Sequence, residues 1–288
     1  MAIPGRVNLA SGQGGLPVVR VHTEWSDAEI YLHGAHITHF QKRNEPPVLF
    51  LSEKSQFKDG QPIRGGVPVI FPWFGPKDGE PMHGFGRLKT WDLKSVALEA
   101  NGRIRLRFRL PDCPEAGKFP PFLAQLSVTV GESLTMNLSV MNSSSDRDFE
   151  FETCLHTYFS VGEIGAVSIA GLQGRTYVDK VDNFAQKTET GEAISVNSEV
   201  NRIYEDTSGP VVITDAKLGR KVRIDTEGST STVVWNPWIA RAKEMSDFGD
   251  EEYLKMVCVE SGNVAKNKVK LAPGKIASLR VKLSTAPA

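Results

Sequence analysis

Arg103-Ile104-Arg105-Leu106-Arg107-Phe108-Arg109-Leu110 alternates charge and hydrocarbon without a break. In an extended chain successive side chains point to opposite faces, so Ile104, Leu106, Phe108 and Leu110 share one face and the four arginines share the other. That pattern belongs to a strand with one face in a core and one in water, because a helix would scatter both sets around its axis. Outward from this run, similar short stretches bounded by Gly, Pro, Asn, Asp or Ser occur at Glu29 to His33, Leu123 to Val130, Leu134 to Met141, Phe149 to Leu155 and Val211 to Ala216. They continue at Lys221 to Asp225, Thr230 to Trp235, Tyr253 to Glu260 and Ile276 to Leu283. Only Pro237 to Met245, with proline in its first turn and Ala240, Ala242 and Lys243 behind it, reads as a short helix. Many strands at regular spacing, without a long linker or an internal repeat, predict an all-β, mainly antiparallel sandwich with few short helices, a single domain over residues 1–288.

The chain has 288 residues, with Lys plus Arg and Asp plus Glu balanced at 34 each. This balance removes the electrostatic argument for nucleic acid or an anionic membrane as partner, so any phosphate binding must be local. Cys113, Cys154 and Cys258 are odd in number, widely spaced and form no CxxC. They read as free thiols of a reducing compartment and make a disulfide framework or structural zinc unexpected. No apolar stretch follows a basic one near Met1, as a secretory signal would require. The longest apolar run, Val67 to Phe74, holds two prolines and is far shorter than the ~18 residues of a membrane helix. A soluble, cytoplasmic protein is expected.

The unusual residues cluster in a few places. Ile63-Arg64-Gly65-Gly66-Val67-Pro68 and His83-Gly84-Phe85-Gly86-Arg87 set two arginines and a histidine on glycine turns beside Trp73 and Phe74. Guanidinium forks bind oxyanions and flat rings cover sugar faces, so a polyhydroxy or phosphorylated ligand suits them. Gly65, Gly66, Gly84, Gly86 and Gly262 would let backbone approach such a ligand, and Pro62, Pro68, Pro72 and Pro76 stiffen the segment. His33, His36 and His39 recur every third residue, a metal-like spacing only on a helix; on a strand His36 points away from the other two. Hydrogen-bonded structural histidines are therefore expected there. His156 drops a titratable imidazole into Glu152-Thr153-Cys154-Leu155-His156-Thr157-Tyr158-Phe159, and Glu260 closes the β-type run that starts at Tyr253. Each alone reads as a satisfied strand-end group, but together they form a candidate acid/base pair. Asp78, Asp179 and Asp215 sit in turn-like contexts that explain them. No GxGxxG, P-loop, GxSxG or HExxH is present.

At these residues the chain resembles the aldose 1-epimerase superfamily, and within it the branch of glucose-6-phosphate 1-epimerases. The similarity runs from His33-Gly34-Ala35-His36 through the Arg64 and His83 segments and Leu155-His156-Thr157-Tyr158-Phe159 to Val234-Trp235-Asn236-Pro237-Trp238 and Cys258-Val259-Glu260-Ser261-Gly262-Asn263. It implies a galactose mutarotase-like β supersandwich, interconversion of the α and β anomers of a hexose 6-phosphate, and catalysis with no metal and no cofactor. It also implies His156 as general acid, Glu260 as general base, Arg64 and Arg87 as phosphate ligands and His83 as a further substrate contact. Met82 stands where the family usually has a glutamine that binds a sugar hydroxyl, and Asn201 where it usually has aspartate; both positions fall among the substrate contacts. A histidinium beside a carboxylate would keep its proton near neutrality. The partner is a small-molecule substrate, the expected state a monomer. The competing reading is a non-catalytic sugar or sugar-phosphate binding protein on the same fold, which has no need of a matched acid and base. A glycoside hydrolase would want two carboxylates across the bond.

Overall fold

The computed structural model describes residues 3–288. The alternating run forms the strand Ile104–Arg109, which pairs antiparallel with Asp92–Leu98 on one side and with Phe122–Val130 on the other. Ile104, Leu106 and Phe108 are fully enclosed and Arg107 is exposed. Each enclosed side chain of this size stabilises the fold by roughly 1.5–3 kcal/mol, and the interleaved arginines keep the opposite face wet.

This strand belongs to a nine-stranded sheet ordered Ala193–Ser195, Val167–Ala170, Val211–Asp215, Arg220–Glu227, Ile276–Pro287, Leu134–Asn142, Phe122–Val130, Ile104–Arg109 and Asp92–Leu98. A second large sheet has eight strands. Its order is Ala185–Thr188, Thr176–Asp179, Val200–Glu205, Ser231–Asn236, Met256–Asn263, Thr153–Leu155 and Val69–Ile70, with Tyr158–Ser160 also pairing to Met256–Asn263. A four-stranded meander from Val7–Ser11 to His36–Lys42 and the pair Phe149–Phe151 with Val269–Leu271 complete the β structure. One apolar cluster draws on all four sheets, through residues such as Ile37, Leu106, Phe149 and Val259. Trp238–Glu244 is the one α-helix among the described residues, directly after Pro237. No helix is long and apolar enough to cross a membrane.

Three expected strands take a different form. Phe149 to Leu155 is two strands in two sheets, because the chain turns from one to the other at Glu152. The Glu152 carboxylate accepts the backbone N–H of Phe74 at 2.9 Å and of Ala265 at 2.6 Å. The run from Tyr253 opens with a single turn of 3-10 helix, Glu252–Lys255, and extends only from Met256, so Glu260 lies inside a strand and not at its end. The strand expected over Glu29 to His33 stops at Tyr31, which puts His33 in a hairpin turn. His33 and His36 bond the carbonyls of Gln61 and Gly65, both at 2.7 Å, and burial lowers the His36 pKa to about 3. The glycines serve chain packing in place of a ligand. A Cβ on Gly66, at φ +59, would lie 2.2 Å from the Ile37 carbonyl oxygen, and one on Gly84, at φ +72, 2.2 Å from that of Phe71.

Candidate active site

Strand register brings the expected pair together. Thr153–Leu155 and Tyr158–Ser160 both pair with Met256–Asn263, Leu155 opposite Ser261 and Tyr158 opposite Cys258. The two residues left between them, His156 and Thr157, therefore face Glu260 and Val259. The His156 Nε2 lies 3.2 Å from the Glu260 Oε1. The other carboxylate oxygen accepts the Cys154 thiol at 3.5 Å. Alternation carries the same face across the sheet, since Val233 is opposite Glu260, Trp235 opposite Cys258 and Asn201 opposite Trp235. His156, Glu260, Val233, Trp235 and Asn201 floor a cleft of about 300 Å³, whose walls include Arg64, Phe74, Met82, His83, Arg87 and Lys180.

Burial decides the proton inventory of the pair. Every residue of Met256–Asn263 is buried, and removing a carboxylate from water penalises its charged form. Glu260 is pushed up to about 8 by burial, against the Cys154 hydrogen bond and the charges of Lys180 and Arg87. His156 is held well below its ordinary value, first by burial and then by His83, Arg87 and Arg64. Near neutral pH the pair thus carries its one proton on the carboxyl group. This corrects the expectation of a histidinium, and the reason is that neither charge has water to stabilise it.

The flanking groups have assigned partners. His83, at φ +67, accepts the Gly75 N–H on Nδ1 at 3.0 Å, which leaves the proton on Nε2. Its ring stands edge-on to His156 at 5.6 Å, and burial followed by the nearby cations keeps it neutral. Arg64 donates through Nε and Nη2 to Asp247, at 3.2 and 3.1 Å, and through Nη1 to the Tyr158 hydroxyl at 3.0 Å. The Tyr158 ring in turn stacks on His156, 4.9 Å away at 12°. Arg87 is buried and donates to the Met82 carbonyl at 2.8 Å, while its Nε has no protein partner. Burial and Arg64 lower it to about 10, so it stays charged at neutral pH. Met82 contributes that carbonyl, and its side chain, 47% exposed, lies at the cleft edge.

All seven residues singled out from the sequence line this one cleft. Trp73 does not; its ring is buried against Phe85 and its indole N–H bonds the Pro81 carbonyl. Asp179 and Asp215 accept backbone N–H groups of turns, as their contexts suggested. Sequence reasoning missed Lys180, Asp247 and the role of Cys154, none of which stands in a pattern that marks it. His156, Cys258 and Glu260 also bring three metal-type donor atoms within 4.8 Å of one another. Burial raises the Cys258 thiol well above its ordinary value, so it presents a protonated sulfur there.

A buried imidazole and a buried carboxyl thus meet on the floor of a cleft in an antiparallel β structure, with Arg64 and Arg87 in its walls. The chain belongs to the aldose 1-epimerase family, which it matches over residues 17–284. Among its relatives is a protein of Cenchrus ciliaris provisionally named glucose-6-phosphate 1-epimerase, 36% identical over 269 residues, 90% of this chain and 82% of that protein. One of Escherichia coli with the same provisional name is 36% identical over 84% of this chain and 81% of its own length. A crystal structure from Salmonella typhimurium, provisionally described as a mutarotase, superposes with a TM-score of 0.91 at 29% identity, over 100% of this chain and 96% of that one. A galactose mutarotase-like protein of Clostridium acetobutylicum shares the fold at a TM-score of 0.77 and 18% identity.

Proposed function

We propose that the protein interconverts the α and β anomers of a hexose 6-phosphate, glucose 6-phosphate being the substrate its relatives' names support. The observation that carries this is the 3.2 Å approach of His156 Nε2 and Glu260 Oε1 on the floor of the cleft. Anomer exchange needs one group to take the proton from the anomeric hydroxyl while another gives a proton to the ring oxygen. The bond from C1 to the ring oxygen breaks as the C1 carbonyl forms, C1 turns about the bond to C2, and closure returns both protons. Nothing is consumed, so a pair sharing one proton suffices.

Before transfer that proton rests on Glu260. Transfer to His156 gives the carboxylate base and imidazolium acid that open the ring, and each member reverses its role on closure. A phosphate beside Arg87 and Arg64 would offset the positive charges that hold His156 down, which favours the imidazolium when substrate is bound. Substrate charge thereby prepares the acid as well as holding the sugar. The N–H groups of Arg87 not used by the Met82 carbonyl, and those of Arg64 not used by Asp247 and Tyr158, are the phosphate donors. The neutral His83, Asn201 and the Met82 edge contact the sugar. Three free cysteines support a cytoplasmic setting for this activity.

Exchange NMR of glucose 6-phosphate and of glucose, each with and without the protein, tests the proposal. Accelerated exchange of the phosphate, with kcat/KM well above that of glucose and falling with added salt, is expected. Equal kcat/KM for the two sugars would sink the phosphate reading.

A further inference from the structure

The cleft holds a cation that the arginines do not account for. Arg64 spends its charge on Asp247 within the protein. Lys180 follows the strand Thr176–Asp179, and its backbone N–H donates to the Asn201 carbonyl at 2.9 Å, extending the pairing of Asp179 with Arg202. Asp179 turns to the other side, where Lys187 and the Val181 N–H hold it. The Lys180 side chain lines the cleft with Arg87, Asn201 and Glu260, its Nζ 5.8 Å from the centre of the Phe74 ring. Among the described residues its ammonium makes no ion pair and no hydrogen bond, whereas Lys187, Lys266 and Lys268 each end on carboxylates. Asn201 beside it is neutral. A half-buried ammonium with an aromatic face but no anion for a partner has lost hydration for little return, and that cost is offset when an anion arrives.

We propose that Lys180 is a specificity-determining residue of this site, its ammonium binding an anionic oxygen of the substrate's phosphate together with Arg87. The proposal rests on the hexose-phosphate reading and adds to it the group that reads the anion. Arg87 offers a planar guanidinium with N–H groups beyond the one given to Met82, and Lys180 a mobile point charge, so the two hold a phosphate by different means. Burial favours the neutral amine of Lys180, and Glu260 is the one charge opposing it. A bound phosphate would supply the counter-charge that a protonated Glu260 withholds.

Lys180→Met and Lys180→Arg, compared with the wild type, test this through two readouts. Calorimetry measures inorganic phosphate binding to the resting protein, and exchange kinetics measure kcat/KM for glucose 6-phosphate and glucose. Lys180→Met should weaken phosphate binding and raise the KM for glucose 6-phosphate by about tenfold or more, the loss of one charge-assisted hydrogen bond. Its loss on glucose 6-phosphate should exceed that on glucose by a similar factor, and Lys180→Arg should recover most of both. Unaltered phosphate binding in Lys180→Met overturns the proposal. So does an equal loss on the two sugars, because the ammonium would then serve the sugar ring or the fold. Phosphate binding that depends on Lys180, in a protein with no preference for the phosphorylated sugar, would keep Lys180 as an anion ligand and sink the hexose-phosphate reading instead.

Discussion

In the proposed reaction the value of Glu260 lies in its poor solvation. A carboxyl group that ionises at about 8 is a proton donor and acceptor near neutral pH, where an ordinary glutamic acid is only a base. Glu260→Gln keeps the shape and removes the exchange, and His156→Asn does the same for the imidazole. Each should lower kcat for anomer exchange by about 10² to 10⁴ fold with the fold intact, the usual contribution of such groups. Retention of more than about a tenth of wild-type kcat in either variant would remove that residue from the chemistry. The same inventory limits activity in alkali, so kcat/KM should fall as pH rises through about 8, where the pair loses its shared proton. His156 was legible in sequence because a titratable group inside a strand-like run is costly and therefore conspicuous, and Glu260 because it was read as the carboxylate that closes such a run. Their proton distribution was not, since it depends on how many neighbours exclude water. Lys180 and Asp247 were illegible for the opposite reason: a lysine after a strand and an aspartate in a turn are what any surface shows.

The elements were most legible where alternation was long. Ile104–Arg109, Phe122–Val130, Leu134–Asn142 and Ile276–Pro287 lie in the nine-stranded sheet, with one face on the core, as their patterns require. Strands of three or four residues such as Val167–Ala170, Thr176–Asp179 and Ala193–Ser195 passed unnoticed, because so few positions cannot establish a period. Phe149 to Leu155 shows a subtler failure, since its pattern is that of one strand and the change of sheet at Glu152 is enforced by tertiary partners. Those partners make a test. The Glu152 carboxylate is bonded to the Phe74 and Ala265 N–H groups, beside the cleft and at the end of Met256–Asn263 respectively. Glu152→Ala should lower unfolding stability in urea by about 1–3 kcal/mol, as expected for backbone donors left without an acceptor. Because Phe74 lines the cleft, the KM for substrate should rise as well. A variant as stable as wild type would mean that water takes over both donors and that the crossing needs no side-chain anchor.

At the scale of the molecule, the site is paid for by the sandwich that surrounds it. Glu260 sits in a central strand of the eight-stranded sheet, so it can reach water freely only when the protein unfolds. Its folded pKa of about 8 stands above the ordinary 4.5. Below the ordinary value both states hold the proton and the contribution to stability is fully present. As pH rises from there, the unfolded chain ionises while the native one keeps its proton, and stability declines until the folded pKa is passed. His36, His83 and His156 act in the other direction, because burial lowers them and protonating the unfolded chain in acid favours unfolding. Below about 6.5, the ordinary histidine value, these trends oppose one another; between there and about 8 the histidines are silent and Glu260 continues. Stability should therefore fall by about 2 kcal/mol over that interval, at the 1.4 kcal/mol per pH unit that one proton contributes. The buried thiols of Cys154 and Cys258, raised well above their ordinary values, add a further decline at higher pH that any variant retaining them shares. Urea unfolding of wild type and Glu260→Gln at a series of pH values separates the two. The glutamine variant should be nearly flat between pH 6.5 and 8 where wild type slopes downward, and parallel curves would show that Glu260 is already ionised in the folded protein.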